Sequence, residues 1–469
     1  MNSLEFIQKI KNKEIDIVEH TKKVIEECKK LNKEYHYFNV ISEELALQQA
    51  KQIKKEPRGK LAGLPVSVKD CICVKDIESR AGSKILSGYK PVYDATVIEK
   101  LKKEGAIIIG KTAQDEFGFG SFSVNVGLGM KVPVNPFDKE RSCGGSSGGS
   151  AGITQKASFP HIAIAESTGG SIECPASFCG VNGFCPTYGR ISRYGLIDYA
   201  NSLDKIGPMG KTIEEIALML NVIAGHDKKD STSINKPTED YISFLKKPVK
   251  GLKIGIIKDY LGEGVDKEVK VKVIEAIKKL EEEGAKTEEI SLPLTSKHAL
   301  PAYYIIALSE ASTNLAKYSG MRYGAHEKLE GNFNEYFSKV RSNNFTKESK
   351  RRIIIGTFAR MAGFRDAYYI KAVQIRTKII QEYKKVFRKY DCLISPTMPV
   401  VAPKFDEIKK LTPLQNYMMD IMTVGPNLAG LPHMSLNVGL KDNMPIGMML
   451  IADHLEEGKL LQIGSGLEK

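Results

Sequence analysis

Three polar residues in apolar or glycine-rich surroundings carry the chemistry of this sequence. Ser146 lies in GGSSGGS, Ser171 lies in TGGS, and Lys69 lies in the apolar segment LPVSVKD. A serine nucleophile needs a base that takes its proton, and a lysine acting through a second serine can replace histidine in that task. These residue types therefore indicate cleavage of an amide through an acyl-enzyme.

The neighbours of each residue suggest its role. Ser171 is predicted to be the nucleophile because it ends a turn whose successive N–H groups can form an oxyanion hole, contributed by Thr168, Gly169, Gly170 and Ser171 itself. Lys69 can act as the base only when it is neutral, which requires a dry pocket and a neighbouring positive potential. Ser146 is predicted to relay the proton between them.

Two other interpretations of these glycine-rich segments are weaker. GGSSGGS is also typical of a flexible linker, but a second turn, TGGS, follows the apolar run Ile162 to Ala165 and favours a site. Gly105 to Thr112 matches the phosphate-loop pattern GxxxxGK[ST]. A helical pattern precedes Gly105, however, and three isoleucines occupy the loop, so this segment predicts a strand and no nucleotide site.

Composition limits the class of protein. The chain has 469 residues, of which 42% are hydrophobic, so it can bury a large core. Its net charge of +13 permits an anionic partner, but the basic residues are scattered among acids and predict a solvated surface. The first twenty residues do not form a signal peptide, and no run is apolar enough for a membrane span, so we expect a cytoplasmic protein. The eight cysteines match no usual zinc spacing and are predicted to be buried, with no metal site.

Helix and strand patterns alternate along the chain. Residues 1–55 are helical in pattern, 61–68 and 252–257 predict strands, and a helix followed by a strand covers TVIEKLKKEGAIIIG. This order predicts an α/β class and a single three-layer α/β/α domain over residues 1–469 with a large mixed β-sheet. Within it, residues 60–230 contain the predicted catalytic core, and about 290–390 form a helical insertion.

Four segments resemble the amidase signature family: VSVKD, GGSSGGSAG, TGGSI and PASFCGVNGFCPTYGRIS. The resemblance runs over essentially the whole chain and implies the fold described above. It also implies a catalytic triad of Lys69, Ser146 and Ser171, a cis peptide between Gly145 and Ser146, and a supporting role for Ser147.

Later segments are most similar to the A subunits of glutamyl-tRNA(Gln) amidotransferases. They are PAYYIIALSEASTNLAKYSGMRYG, SKRRIIIGTF, RDAYYIKAVQIRTKI and NLAGLPHMS. This similarity implies that Arg352, or the adjacent Arg351, binds the carboxylate of glutamine. It implies that Asp420 binds the ammonium group and that Tyr303 or Tyr304 lines the same pocket. Without the family, Arg352 and Asp420 would be interpreted as an ordinary surface ion pair.

The same similarity implies a function within a complex. Ammonia released from glutamine would pass to the B subunit, where ATP and Mg²⁺ activate Glu-tRNA(Gln) or, in some organisms, Asp-tRNA(Asn). This chain would need no cofactor, would assemble with the B and C subunits, would meet tRNA mainly through the complex, and would have no membrane contact. A free-standing amidase for another small amide and a non-catalytic structural subunit remain as alternatives.

The sequence departs from the family pattern around the predicted nucleophile. Family members commonly carry SDTGGSIR, whereas this chain reads ESTGGSIE from Glu166 to Glu173. Ser167 and Glu173 replace the usual Asp and Arg together. Because both partners of an ion pair are lost at once, no charge is left without its partner, and we expect the turn to survive.

Overall fold

One large mixed sheet organises the chain, and the computed structural model describes residues 1–468. Its eleven strands, counted over those residues, lie in the order β1-β3-β2-β4-β6-β5-β10-β11-β9-β7-β8. Their bounds are β1 (Phe38–Ile41), β2 (Pro65–Lys69), β3 (Ile107–Thr112), β4 (Ile162–Ser167), β5 (Asn182–Cys185), β6 (Lys205–Gly210), β7 (Lys253–Ile257), β8 (Lys286–Ile290), β9 (Cys392–Pro396), β10 (His433–Lys441) and β11 (Met444–Ile451).

Helices surround this sheet. They are α1 (Ser3–Lys11), α2 (Ile17–Tyr35), α3 (Glu43–Lys55), α4 (Thr96–Lys103), α5 (Gly148–Lys156), α6 (Glu173–Cys179), α7 (Ile213–Ile223), α8 (Lys267–Glu282), α9 (Pro293–Asn314), α10 (Phe333–Asn344), α11 (Lys347–Arg360), α12 (Lys371–Val386), α13 (Phe405–Ile408), α14 (Pro413–Met418), α15 (Val424–Ala429) and α16 (Glu457–Leu467). A π-helical turn, Asp366–Ile370, leads into α12. Within residues 1–468, no helix is long and apolar enough to cross a membrane.

The predicted α/β class with a large mixed sheet is confirmed. Strand β2 pairs in parallel with both β3 and β4, whereas β6 pairs antiparallel to β4. Every residue of these four strands is buried. The carboxyl ends of parallel strands meet at one edge of a sheet, which is where ligand sites of α/β proteins form. Lys69 and Ser167, the last residues of β2 and β4, therefore come to the same edge.

The prediction of an entirely helical pattern over residues 1–55 is wrong at one place. Phe38–Ile41 forms the edge strand β1, which pairs antiparallel with β3. Only four residues long, this strand has no room to show an alternating pattern between two strong helices. The chain between β8 and β9, in contrast, is largely helical and contains α9, α10, α11 and α12.

The segment that resembles a phosphate loop is a strand, as its isoleucines predict. Residues Ile107–Thr112 form β3, directly after helix α4. The ammonium of Lys111 is buried and donates to the carbonyl oxygens of Asp70 and Ile72 at 3.1 and 2.7 Å and to Ser79 Oγ at 2.7 Å. This lysine holds neighbouring loops together and faces no phosphate-binding turn.

Candidate active site

The structure brings Lys69 and Ser146 into direct contact. Lys69 ends β2 and is fully buried, and its Nζ lies 2.7 Å from Ser146 Oγ. The peptide bond between Gly145 and Ser146 is cis, as the resemblance implied. The loop is held from the other side by the amide of Asp115, which donates to the Ser146 carbonyl at 3.2 Å. A serine hydroxyl and a lysine amine are thus placed for proton transfer.

The surroundings of Lys69 differ in charge from what the sequence led us to expect. The site is dry, but the side chain of Glu166 places Oε2 2.8 Å from Lys69 Nζ, and the Glu166 carbonyl oxygen lies at the same distance. The expectation of a positive potential around Lys69 is therefore wrong, because the Glu166 carboxylate contacts the amine. Glu166 directly follows the apolar run Ile162 to Ala165, and no local motif marks it as a site residue.

Ser171 lies in the turn between β4 and α6. Its side chain is buried except for 6% of its surface. The turn requires glycine, because a Cβ on Gly169 would come within 2.3 Å of Tyr303 Cζ, and Gly170 adopts φ 151°. The Thr423 hydroxyl donates to the Gly169 carbonyl at 2.6 Å. The Gly170 N–H donates to Ser167 Oγ at 3.2 Å, so this predicted donor of the oxyanion hole is already occupied.

A small, largely enclosed cavity (the closed pocket) joins several of the predicted residues. Ser171, Tyr303, Tyr304, Arg352 and Asp420 all line it, together with glycines that include Gly145. Arg352 and Gly120 also line an adjoining, more open groove. The structure therefore assembles the predicted nucleophile, cation and anion around one cavity.

Arg352 lies on α11 and is 3% exposed. Its Nε donates to Glu348 Oε1 and its Nη1 donates to Tyr199 Oη, each at 2.8 Å. Arg351 also contacts Glu348, but its side chain is one-third exposed and it lines only the outer groove. Of the two arginines left open by the sequence, Arg352 is the one that reaches the pocket.

Asp420 lies on the opposite wall and is 8% exposed. Its two carboxylate oxygens accept hydrogen bonds from Ser121 Oγ at 2.7 Å and from Tyr304 Oη at 2.6 Å. Burial raises the pKa of Asp420 to about 6. Neither Asp420 nor Arg352 is a surface residue, and each has other partners, so the interpretation of this pair as a surface ion pair is wrong.

The replaced residues beside the nucleophile form a new buried network. Ser167 Oγ donates to Glu173 Oε2 at 2.9 Å, and His433 Nε2 contacts Glu173 Oε1. His433 Nδ1 lies 2.9 Å from the Leu431 carbonyl oxygen, so each ring nitrogen has an oxygen atom beside it. Burial opposes ionisation of Glu173, but the charge and hydrogen bond of His433 lower its pKa to about 2. The turn is retained, as expected. The reason differs from the expected one, because Glu173 and His433 form a new ion pair, whereas we expected the turn to lack a charged pair.

This network predicts a stability effect. His433→Ala would leave the Glu173 carboxylate buried without its cation, at a cost of about 3 kcal/mol in the free energy of unfolding. Glu173→Gln added to His433→Ala removes the unpaired charge and is expected to restore most of that loss. Urea unfolding of the three proteins checks this, and equal stability of the wild type and His433→Ala would contradict it.

Cys185 Sγ lies beside the same pair, within 4.8 Å of the ligand atoms of Glu173 and His433. The Lys205 ammonium is close by, since it donates to Asn427 Oδ1 at 2.6 Å and the Asn427 amide contacts both Glu173 and His433. Burial raises the pKa of the Cys185 thiol well above its usual range. The nearby ammonium of Lys205 opposes the binding of a metal cation by these three side chains.

Ser147 was predicted as a supporting residue from the sequence, whereas Asp115 was not. Ser147 Oγ, expected to support the site, donates to the Glu166 carbonyl at 3.1 Å. The carboxyl of Asp115, however, accepts the amides of Ser123 and Asn125 at 3.0 and 2.8 Å beneath the cis peptide, and burial raises its pKa to about 7. Nothing in the local pattern marked Asp115, because its partners come from a loop that only the fold brings near.

Comparison with known proteins agrees with this arrangement. The family model described as Amidase matches residues 19–461. The A subunit of glutamyl-tRNA(Gln) amidotransferase from Sulfurihydrogenibium sp. is 46% identical over 460 residues, which are 97% of this chain and 94% of that protein. The protein of the same name from Carboxydothermus hydrogenoformans is 45% identical and covers 100% of this chain and 97% of its own length.

A solved structure is also similar over most of its length. The crystal structure of the A subunit of glutamyl-tRNA(Gln) amidotransferase from Thermotoga maritima is 37% identical, with a TM-score of 0.75 and 90% of each chain covered. The family match spans nearly the whole sequence, and the relatives exceed 40% identity over nearly the whole chain. The chain belongs to the amidase signature family.

Proposed function

We propose that this chain is the glutamine-hydrolysing subunit of a tRNA-dependent amidotransferase. One observation carries the proposal: Ser171, a buried cation and a buried anion line a single closed pocket, beside a lysine and serine in contact. An amino acid substrate presents one carboxylate and one ammonium group, and Arg352 and Asp420 match them in charge. The names of the relatives at 43–48% identity support the same role.

The proposed reaction begins with attack of Ser171 Oγ on the side-chain carbonyl carbon of glutamine. The serine proton passes to Ser146, whose own proton passes to Lys69. Collapse of the tetrahedral intermediate breaks the C–N bond, and the departing nitrogen takes a proton back from Lys69 through Ser146. Water then attacks the acyl-enzyme and releases glutamate. The N–H groups of Thr168, Gly169 and Ser171 stabilise the oxyanion in both halves, whereas the Gly170 N–H is occupied by Ser167 Oγ.

Recognition of the substrate explains the polarity of the pocket. Arg352 has its Nε and Nη1 engaged, and no contact among residues 1–468 occupies Nη2, which is left for the substrate carboxylate. The Asp420 carboxylate, oriented by Ser121 and Tyr304, accepts the substrate ammonium. A free-standing amidase for a simple amide has no need of this buried pair of opposite charges.

The pKa of Asp420 gives this recognition a pH dependence. A carboxyl whose pKa is about 6 is ionised above that pH and neutral below it, so its attraction for an ammonium group is lost as the pH falls. We expect the KM for glutamine to rise about tenfold between pH 7 and pH 5. In Asp420→Asn the KM should be high and nearly independent of pH over that interval. Steady-state kinetics of both proteins checks this.

The proposed partners follow the family. Ammonia passes to the B subunit, where ATP and Mg²⁺ activate Glu-tRNA(Gln) or Asp-tRNA(Asn), and the complex is completed by the C subunit. An exposed apolar patch supports assembly with another protein chain: Ile354, Phe358, Met361, Phe364 and Tyr368 are each at least 41% exposed. Contiguous apolar patches of this kind mark protein interaction sites.

The test is glutamate release from glutamine by this chain, alone and with candidate B and C subunits, in the presence of ATP and charged tRNA. Activity that requires the partners supports the proposal. Turnover of simple amides with no response to glutamine would favour a free-standing amidase. Absence of hydrolysis under every condition would favour a structural subunit.

A further inference from the structure

The ammonium of Lys69 has a complete set of acceptors. Its Nζ lies 2.7 Å from Ser146 Oγ and 2.8 Å from both the carbonyl oxygen and Oε2 of Glu166. An ammonium has three N–H donors, so the charged form satisfies every contact by donating to all three atoms. A neutral amine has two N–H groups and one lone pair, and it can accept the Ser146 proton only in that form. The contact distances fit both the charged and the neutral form of the Lys69 amine, so the charge of Glu166 determines which form is populated.

The state of the Glu166 carboxyl follows from its second oxygen. Thr168 Oγ1 lies 2.8 Å from Glu166 Oε1 and 2.8 Å from Asp204 Oδ1. One hydroxyl carries one proton and can donate to only one of the two, so the other carboxyl must itself donate. Burial, followed by the charge of Glu166, raises the pKa of Asp204 well above its usual range. Asp204 also accepts the backbone amides of Tyr199 and Ala200 at 2.9 and 3.0 Å, whereas Glu166 is the member that contacts the Lys69 amine.

The other titratable groups around this pair do not cancel that charge. Burial raises the pKa of the Cys71 and Cys185 thiols well above their usual range, so both are neutral. Asp115, with a pKa raised to about 7 by burial, is either neutral or adds negative charge. Arg352 and Arg193 are fixed cations whose nearest carboxylates are those of Glu348 and Asp230 respectively. The Glu166 carboxylate is the charged group in contact with Lys69.

We propose that Glu166 is a positioning residue that holds Lys69 in the ammonium form near neutral pH, so that the base needed to activate Ser171 is populated only under alkaline conditions. The inference rests on the proposed function of Ser171, Ser146 and Lys69. An opposite charge in hydrogen-bond contact favours the charged form of an amine, and burial makes the attraction stronger than in water.

Covalent labelling of Ser171 tests the inference without partner subunits or glutamine. Phenylmethylsulfonyl fluoride forms an O–S bond with an activated serine, fluoride leaves, and the serine proton passes through Ser146 to Lys69. The labelling rate of the complete chain is measured from pH 6 to pH 10, with mass spectrometry to locate the label. In Glu166→Gln the amide oxygen keeps a hydrogen bond to Lys69 but not the charge. We expect the midpoint of the pH curve to fall by about 1–3 pH units. At pH 7 the variant is then labelled about tenfold faster or more.

Two further variants keep the result interpretable. Glu166→Ser removes the carboxylate in a different way and should move the midpoint in the same direction. Glu457→Gln is a matched control, because Glu457 is fully buried and accepts the Thr187 amide at 3.0 Å outside the pocket. Its midpoint should equal that of the wild type. Thermal unfolding confirms that each variant is folded.

The outcomes separate this inference from the proposed function. Labelling of the wild type and both Glu166 variants with coincident pH curves contradicts the inference alone. A midpoint that moves upward in the Glu166 variants also contradicts it. Absence of labelling at Ser171 in every protein and at every pH contradicts the proposed function, and the inference with it.

Discussion

Ser171→Ala is expected to lower the rate of glutamine hydrolysis by on the order of 10⁴-fold or more. The turn holds Ser171 at the wall of the closed pocket, beside the loop that carries Ser146 and its contact with Lys69. No acyl-enzyme can form without the hydroxyl, whereas the pocket that binds glutamine is unchanged. The measurement is glutamate release by the assembled complex, together with glutamine binding, which we expect to be retained.

Ser177→Ala is the matched control. Ser177 lies one and a half turns further along the same segment, on α6, and is also buried. Its hydroxyl packs against Gly447 on β11 and does not line the closed pocket, so its loss should leave the hydrolysis rate within about twofold of the wild type. Glutamine-dependent activity that survives in Ser171→Ala at the level of Ser177→Ala would remove Ser171 as the nucleophile.

Much of the fold and of the site can be predicted from local sequence patterns. Helix α8 is an example, since Val269, Val273, Ile277 and Leu280 recur at helical spacing and all are buried. The strand β3 was predicted from its isoleucines against a competing motif, because side-chain branching restricts the backbone directly. The glycines of the turn at Ser171 predict a close approach of backbone to other groups, and Tyr303 packs where a side chain on Gly169 would lie. Each of these depends on neighbours in the sequence.

The charge that surrounds Lys69 depends instead on strand order. β2 and β4 are 97 residues apart at Lys69 and Glu166, yet they pair in parallel with Val68 opposite Ile164. This register brings a lysine and a glutamate at the ends of two buried strands into contact. The signal was present, because a single carboxylate after the apolar run Ile162 to Ala165 is unusual in a buried strand. This signal identifies a contact with Lys69 only when β2 and β4 are known to be neighbours, and a single sequence does not give the order of strands in a sheet.

Arg352→Gln is expected to lower kcat/KM for glutamine by about 10²–10³-fold, mainly through KM. A charged hydrogen bond to the substrate carboxylate in a buried pocket contributes about 3–4 kcal/mol when it is lost together with its charge. Arg352 is 3% exposed, and the aromatic rings of Phe119 and Tyr417 lie 5.1 and 5.3 Å from its guanidinium carbon, so no mobile cation can take its place. Steady-state kinetics of the assembled complex gives both constants.

Arg351→Gln provides the control for this prediction, because the two arginines share one partner. Both contact Glu348, so each single variant leaves that carboxylate with one cation, and the effect on folding should be similar. Only Arg352 lines the closed pocket, whereas Arg351 is one-third exposed in the outer groove. We therefore expect Arg351→Gln to keep the KM within about twofold of the wild type. Equal losses in the two variants would mean that Glu348 and the fold of α11, rather than a contact with the substrate, account for the effect of Arg352.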